Sequence, residues 1–353
     1  MDFATHALAS FAIARGFFPR RPWPVLVGIL LAGTLADLDL LSSLFGPAAY
    51  LQTHRAFAHS LLATAAIIAI ATLITLYFSR KDKPPLAVVL AATICAASAH
   101  ILFDLLQSDG VALLWPFNGT RYAADILPGI DSWILVVMLA GVALPELFRL
   151  VGSEIGAKNK SPRGRNGALI ALSFTVLYIA ARATLHVNSL ALLEPHSYRG
   201  ESPRRIASFP DALSPFVWRG LVETQSLLCE IDLPTAPGKR FDPETNTCLH
   251  KPDPSPALSA AQSTPAAKLF LQSARFPRAT VEKTLDGYLI TLRAAEDHAQ
   301  NATTHRVAAQ ILLNNQSQIR SQQLIWSPTP ANPPKDSPPT QKTLGQFPIT
   351  RLP

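Results

Sequence analysis

Six apolar runs occupy the first 190 residues, at 3–18, 24–45, 57–78, 86–106, 130–150 and 167–187. A helix needs roughly 20 apolar residues to cross the hydrocarbon of a bilayer, within a range of ~17 to 25. No water in that layer can satisfy a bare backbone, so such runs must be helical or part of a closed barrel. The expected fold class is therefore a mainly α membrane protein, a bundle of about six transmembrane helices. The first run is short, and at ~1.5 Å per residue it barely covers the hydrocarbon. The alternative is that it lies flat on the surface.

Loop charge orients the bundle. Arg15, Arg20 and Arg21 follow the first run, Arg80, Lys81 and Lys83 the third, and Lys158, Lys160, Arg163 and Arg165 the fifth. If all six runs cross, these clusters share one side, which should be cytoplasmic, and both chain ends lie outside. The opposite loops carry Arg55 and Arg121. The net charge of +7 thus reads as topology, and no nucleic-acid partner is expected because no binding motif accompanies it. The segment Met-Asp-Phe-Ala-Thr-His lacks the positive n-region of a cleaved signal peptide.

Composition changes after His186, where prolines and polar residues accumulate. The expected domains are a transmembrane helical domain with the site at 1–190, a Pro-rich extended connection at 191–260, a small β-rich extramembrane domain at 261–327, and a disordered tail at 328–353. Short strands are expected at 217–224 and 226–232 within the connection, then a helix at 266–275. Strands follow at 280–283, 288–293, 307–313 and 318–326, with Asp286-Gly287 and Asn314-Asn315 as turns. Cys229 and Cys248 can pair if this half meets an oxidising compartment.

Ionisable groups inside apolar runs are costly and usually mark a site. Under six crossings His6, Asp37, Asp39, His54, His59, His100 and Asp104 fall at similar depth near the outer face. Asp131 starts the fifth run at the same level. His100 and Asp104 are four apart and share a helix face. His54 and His59 are five apart, roughly 140° around an ideal helix, so His54 is placed in the turn before the helix and His59 inside it. Asp37 and Asp39, two apart, also fail on a regular helix. Either Gly33 permits an opened turn, or one Asp ligates while the other orients a histidine. Ser60 is read as a helix cap. Arg55 can hold a carboxylate or an anion in bidentate fashion, or snorkel to headgroups.

Mixed His and Asp ligation suits a divalent ion, zinc first and manganese or iron next, rather than calcium or Cu(I). Seven candidates exceed the four positions of a tetrahedral site, so either two ions bind or some residues orient ligands or act in the reaction. Such a centre activates water for hydrolysis of an ester, amide or phosphoester, and a nearby carboxylate or His shuttles the proton.

The combination Asp2-x-x-x-His6, Gly33-x-x-x-Asp37-x-Asp39, His54-Arg55-x-x-x-His59-Ser60 and His100-x-x-x-Asp104 resembles the YdjM-like membrane-bound metal-dependent hydrolases of bacteria. Ser108-Asp-Gly-Val-Ala-Leu-Leu-Trp-Pro-Phe117 and Ile130-Asp131 are similar to that family too, with fainter echoes in Pro215-Phe-Val-Trp-Arg219 and Ala274-Arg-Phe-Pro277. One departure is Ala58, where the family pattern has Thr; it removes a hydroxyl and no ligand. The resemblance implies metal ligation at the matched residues, a bacterial inner-membrane location and a hydrolytic reaction. Arg55 and Asp131 become the candidates for catalytic roles. A site facing the outer leaflet makes a lipid or lipid-linked ester or phosphoester the natural substrate, with the β-rich domain extracytoplasmic. The alternatives are an ion- or proton-coupled transporter, which needs polar groups through the whole membrane depth, and a metal-stabilised scaffold.

Overall fold

A computed structural model describes residues 1–19, 22–154, 164–238, 240–243, 246–299, 306–327 and 344–346. Arg20, Arg21, Lys158, Lys160 and Arg163 of the basic loops lie outside the described residues, as does the 328–353 tail apart from 344–346. The chain forms two compact units, Met1–Leu40 with Thr53–Thr184, and Leu41–Gln52 with Leu185–Pro353.

In chain order the helices are α1 (Phe3–Phe17), α2 (Trp23–Thr34), a 3-10 helix (Leu35–Phe45), α3 (Pro47–Thr53), α4 (Leu61–Phe78), α5 (Leu86–Leu105), α6 (Ser132–Glu154) and α7 (Arg165–Leu193). Among the described residues five segments are long and apolar enough to cross a membrane: Trp23–Phe45, Leu61–Phe78, Leu86–Leu105, Ser132–Val151 and Arg165–Leu193. The first predicted run, α1, has 15 residues and a length of about 22 Å. It does not lie apart from the others. Ala9 and Ala12 pack with Phe103, Ile134, Met138 and Ala171, while Ala14 packs with Val25, Ile29, Ala71 and Ala92. Alanine lets helices approach closely where hydrocarbon supplies no hydrophobic drive. The outward faces carry Leu73, Phe78, Leu102, Val136, Phe148 and Leu177, all exposed. That is a lipid-facing belt, which water would not tolerate.

The helix α2 meets α1 at Gly33, where a Cβ would stand 1.9 Å from Ser10 Oγ and 3.0 Å from Ser10 Cβ. Gly33→Ala is therefore expected to cost about 1–3 kcal/mol by overpacking. Adding Ser10→Ala, which removes the nearer atom, should recover most of that. Thermal unfolding of the two variants in detergent checks it.

Helix starts follow local chemistry. Asp2 accepts from Thr5 N at 3.0 Å to open α1. Ser60 accepts from Ala63 N at 3.1 Å to open α4, the capping role expected of it. The α4 helix thus begins later than the apolar run at 57. Gly33 stays within α2 and opens no turn; after Thr34 the chain tightens into the 3-10 helix that carries Asp37 and Asp39.

The second unit holds β1 (Arg205–Pro210), β2 (Val217–Glu223), β3 (Leu227–Pro234) and β4 (Asn246–His250) as an antiparallel sheet in the order β1-β2-β3-β4. Residues 191–260 are thus more than the extended connection expected. Pro210 and Pro234 end strands, Pro215, Pro237 and Pro243 fall between them, and Pro203 and Pro252 stand just outside the first and last, so proline punctuates a sheet here. The strands expected at 217–224 and 226–232 appear as β2 and β3, most of which is buried. Cys229 lies opposite Cys248 across β3 and β4, and the two form a disulfide. Glu201 accepts from Thr224 Oγ1 at 2.6 Å, Ser226 N at 2.9 Å and Ser226 Oγ. Those bonds hold its pKa down at about 2.

Then come α8 (Pro256–Gln262), α9 (Pro265–Ser273), β5 (Pro277–Thr284), β6 (Gly287–Ala294), the short α10 (Glu296–Ala299), β7 (Val307–Asn314), β8 (Ile319–Trp326) and β9 (Leu344–Gln346). The second sheet is antiparallel in the order β8-β7-β6-β5-β9, its core built from Phe270, Ala279, Ile290, Leu292 and Ile311. The strands and helix predicted between 266 and 326 all appear, with ends displaced by a few residues.

Candidate metal centre

Four side chains from three segments meet inside the first unit. His6 comes from the first turns of α1, Asp37 from the 3-10 helix, and His100 and Asp104 from one face of α5. Each offers one ligand atom, and these atoms all lie within 4.8 Å of one another. His6, His100 and Asp104 are buried, and the Asp37 side chain stays 12% exposed, the most open of the four. His59, also buried, adds a fifth group: its Nε2 is 3.1 Å from Asp104 Oδ2 and 3.7 Å from Asp37 Oδ1.

The donor atoms show what is wanted between them. His100 Nδ1 lies 3.0 Å from the Gly33 carbonyl oxygen. A carbonyl only accepts, so Nδ1 carries the proton and a neutral ring leaves a lone pair on Nε2. That Nε2 faces Asp104 Oδ2 at 3.3 Å and Asp37 Oδ1 at 3.8 Å. His6 Nε2 hydrogen-bonds Asp104 Oδ1 at 3.2 Å. His59 Nε2, His100 Nε2, Asp37 Oδ2 and Asp104 Oδ2 are buried with no aligned hydrogen-bond partner. Close nitrogen–oxygen pairs that miss hydrogen-bond alignment are lone pairs aimed into shared space. Leaving such groups unmatched costs about 1–3 kcal/mol each, more when charged. A divalent cation matches all of them, and the His and Asp donor set is one that zinc, manganese and iron accept.

Asp39 stands one step back. Its Oδ1 is 3.1 Å from His54 Nδ1, and its Oδ2 is 3.0 Å from His59 Nδ1 and accepts the Arg55 backbone N–H at 2.7 Å. His59 therefore lies among three carboxylates, with Asp39 behind it and Asp104 and Asp37 in front. All seven predicted ligands belong to one connected network, which His54 joins through Asp39. Burial pulls the His54 pKa below its ordinary value, against the support that Asp39 gives the charged form. His59 was expected inside a helix; it precedes α4 in the same turn as His54, so the 140° objection does not arise.

Arg55 reaches the cluster. Its backbone is in the left-handed region at φ 55°, with Nη2 donating to Gln107 Oε1 at 2.8 Å and lying 3.3 Å from Asp104 Oδ1. Nη1 is 3.3 Å from Asp109 Oδ2. Gln107 Nε2 donates to Asp104 Oδ1 at 3.3 Å, and the Met1 amino group also contacts Asp104. Gln107 was not among the expected site residues, and Asp109 entered only as part of the Ser108–Phe117 stretch. The available signal was that Gln107 follows Asp104 by three positions, on the same face.

The structure does not bring Asp131 into this network. Its Oδ1 accepts from Trp133 N and Ile134 N, both at 3.1 Å, capping α6, and its Oδ2 accepts from Tyr178 Oη at 3.1 Å. Its place just before an apolar helix is explained by that cap. Glu146 pairs with Arg15 Nη1 at 2.6 Å and Arg149 Nη2 at 3.1 Å.

Uncharacterized protein YfhP of Bacillus subtilis (strain 168) is 24% identical over 153 residues, 41% of this chain and 46% of that protein. The chain thus spans less than half the length of that relative. No solved structure matches. Residues 1–188, which supply every side chain of the cluster, match the YdjM inner membrane protein family. That match covers more than half of the 353 residues, and the chain belongs to the YdjM inner membrane protein family.

Proposed function

We propose that the protein is a membrane-bound metal-dependent hydrolase acting on an ester or phosphoester of a lipid or lipid-linked substrate. The observation that carries this is the set of buried imidazole and carboxylate lone pairs converging from three segments. His6, Asp37, His100 and Asp104 would hold a divalent ion, zinc first, with His59 completing the set. Such an ion supplies Lewis-acid activation of water and of the scissile bond.

The remaining roles belong to the chain. Asp39 fixes the ring planes of His54 and His59. Arg55 neutralises Asp104 and presents a permanent positive charge beside the site. Asp37, the most open of the four, is placed to take a proton from the substrate side. Asp39→Ala is expected to weaken metal affinity about 10–100-fold while removing no ligand; competition with a chromogenic chelator reads that.

The transporter reading loses its deeper polar group, because Glu146 is engaged by Arg15 and Arg149. The disulfide supports an extracytoplasmic place for the β-sheets. Elemental analysis of the full chain purified without chelator, followed by a panel of lipid esters and phosphoesters, tests the proposal. Stoichiometric divalent metal and metal-dependent turnover are expected. Protein that carries no divalent metal overturns the reading, and metal that is needed only for folding replaces it with a scaffold.

A further inference from the structure

The same bundle contains an apolar cavity of about 540 Å³ between α1, α5, α6 and α7. That volume is within the range of ~300–1,000 Å³ typical of small-molecule sites. Its few polar groups invite no polar ligand: Thr175 Oγ1 donates to the Ala171 carbonyl of its own helix at 2.9 Å.

Two features say what fits it. One end abuts the candidate metal centre. Phe103, which lines the cavity, adjoins Asp104, and its ring meets the His6 ring edge-on with centroids 6.2 Å apart. Ala9, one turn below His6, lines it too, and the lining continues to Phe17 at the far end of α1, about 12 Å along the helix axis. The cavity is also continuous with the lipid-facing belt: its lining residues Leu102, Val176 and Leu177 are 56%, 66% and 71% exposed. An elongated apolar slot, open sideways to hydrocarbon and ending at a polar centre, has the shape of one extended chain with a polar end.

We propose that this groove takes the hydrocarbon chain of a lipid from the surrounding leaflet and sets its polar end at the metal centre. The substrate class is then a lipid with at least one extended chain, and soluble esters are excluded. What happens at the polar end rests on the hydrolase reading above; the binding itself does not.

The test uses the full chain in vesicles of phosphatidylethanolamine and phosphatidylglycerol, with a minor fraction of phosphatidylglycerol carrying a diazirine in mid-chain. After irradiation, adducts are mapped by peptide mass spectrometry. Leu102, Ser173 and Leu177 should be labelled about tenfold more than Ile70 and Val136, which face lipid away from the groove, a preference worth about 1.4 kcal/mol. Ala99→Phe and Ser173→Phe, which fill the groove from two different helices, should abolish the preference with metal content unchanged. Even labelling around the belt overturns the proposal. So does preference that survives both substitutions, or absence of lipid adducts from the groove, as a second copy of the chain seated on it would produce. The two readings separate cleanly. Groove labelling with no lipid hydrolysed sinks the hydrolase reading alone. Equal turnover of soluble and long-chain esters, insensitive to Ala99→Phe, sinks the groove alone.

Discussion

Asp104→Ala is expected to abolish divalent-metal binding by the purified protein and to lower its thermal stability. Asp104 is fully buried and is contacted by His6, Arg55, His59, His100, Gln107 and the Met1 amino group. Its removal deletes a ligand and leaves the buried Arg55 guanidinium without its nearest buried counter-charge, a loss of about 3–5 kcal/mol for a broken buried pair. Metal affinity is expected to fall by more than roughly 100-fold, beyond the range typical of a residue that only orients a ligand. Asp109→Asn gives the contrast. It also faces Arg55, at 3.3 Å, but its side chain is 26% exposed, so the cost should stay within ~0–1 kcal/mol. Elemental analysis and thermal unfolding of the two variants decide the matter. Equal metal content in Asp104→Ala and wild type rules out Asp104 as a ligand.

The second large effect concerns the disulfide of the second unit. Cys229 and Cys248 are 19 positions apart, and closing a loop of that length restricts the unfolded chain by about 3 kcal/mol. Cys229→Ser is expected to lower the stability of the β1–β4 sheet by that amount, read as protease sensitivity between residues 205 and 250. Maleimide labelling of intact, unreduced cells adds a test of location. Neither cysteine should react, because the bond forms only where the sheet meets an oxidising compartment. Labelling of both would return the sheet to the cytoplasm and reverse the topology.

The helices were legible because a membrane imposes one length and one composition on whatever crosses it. The cluster was legible for the complementary reason: His6, Asp37, Asp39, His59, His100 and Asp104 are conspicuous inside apolar runs. What failed was local. Phe57 and Ala58 are apolar, so nothing in composition shows that they lie in a turn; the Ser60 cap is the signal, and it was read as a cap without moving the helix start. Asp131 shared its level with the cluster, yet its oxygens are taken by the start of α6 and by Tyr178. Gln107 carries no charge and sits where the apolar run ends, so it did not stand out. Of the first sheet, β2 and β3 were expected as strands, while β1 and β4, beside Pro203, Pro210, Pro243 and Pro252, were taken into the extended connection.

The short helix α1 is fastened at both ends, His6 to Asp104 near its start and Arg15 to Glu146 near its close. Its two partners are made long after it. During synthesis the ribosome must release α5 before His6 meets Asp104, and α6 before Arg15 meets Glu146. The insertion machinery therefore has to harbour a charged, undersized N-terminal segment until nearly half the chain has emerged. A nascent chain halted ahead of α5 lacks His100 and Asp104, so it should capture none of the proposed cation.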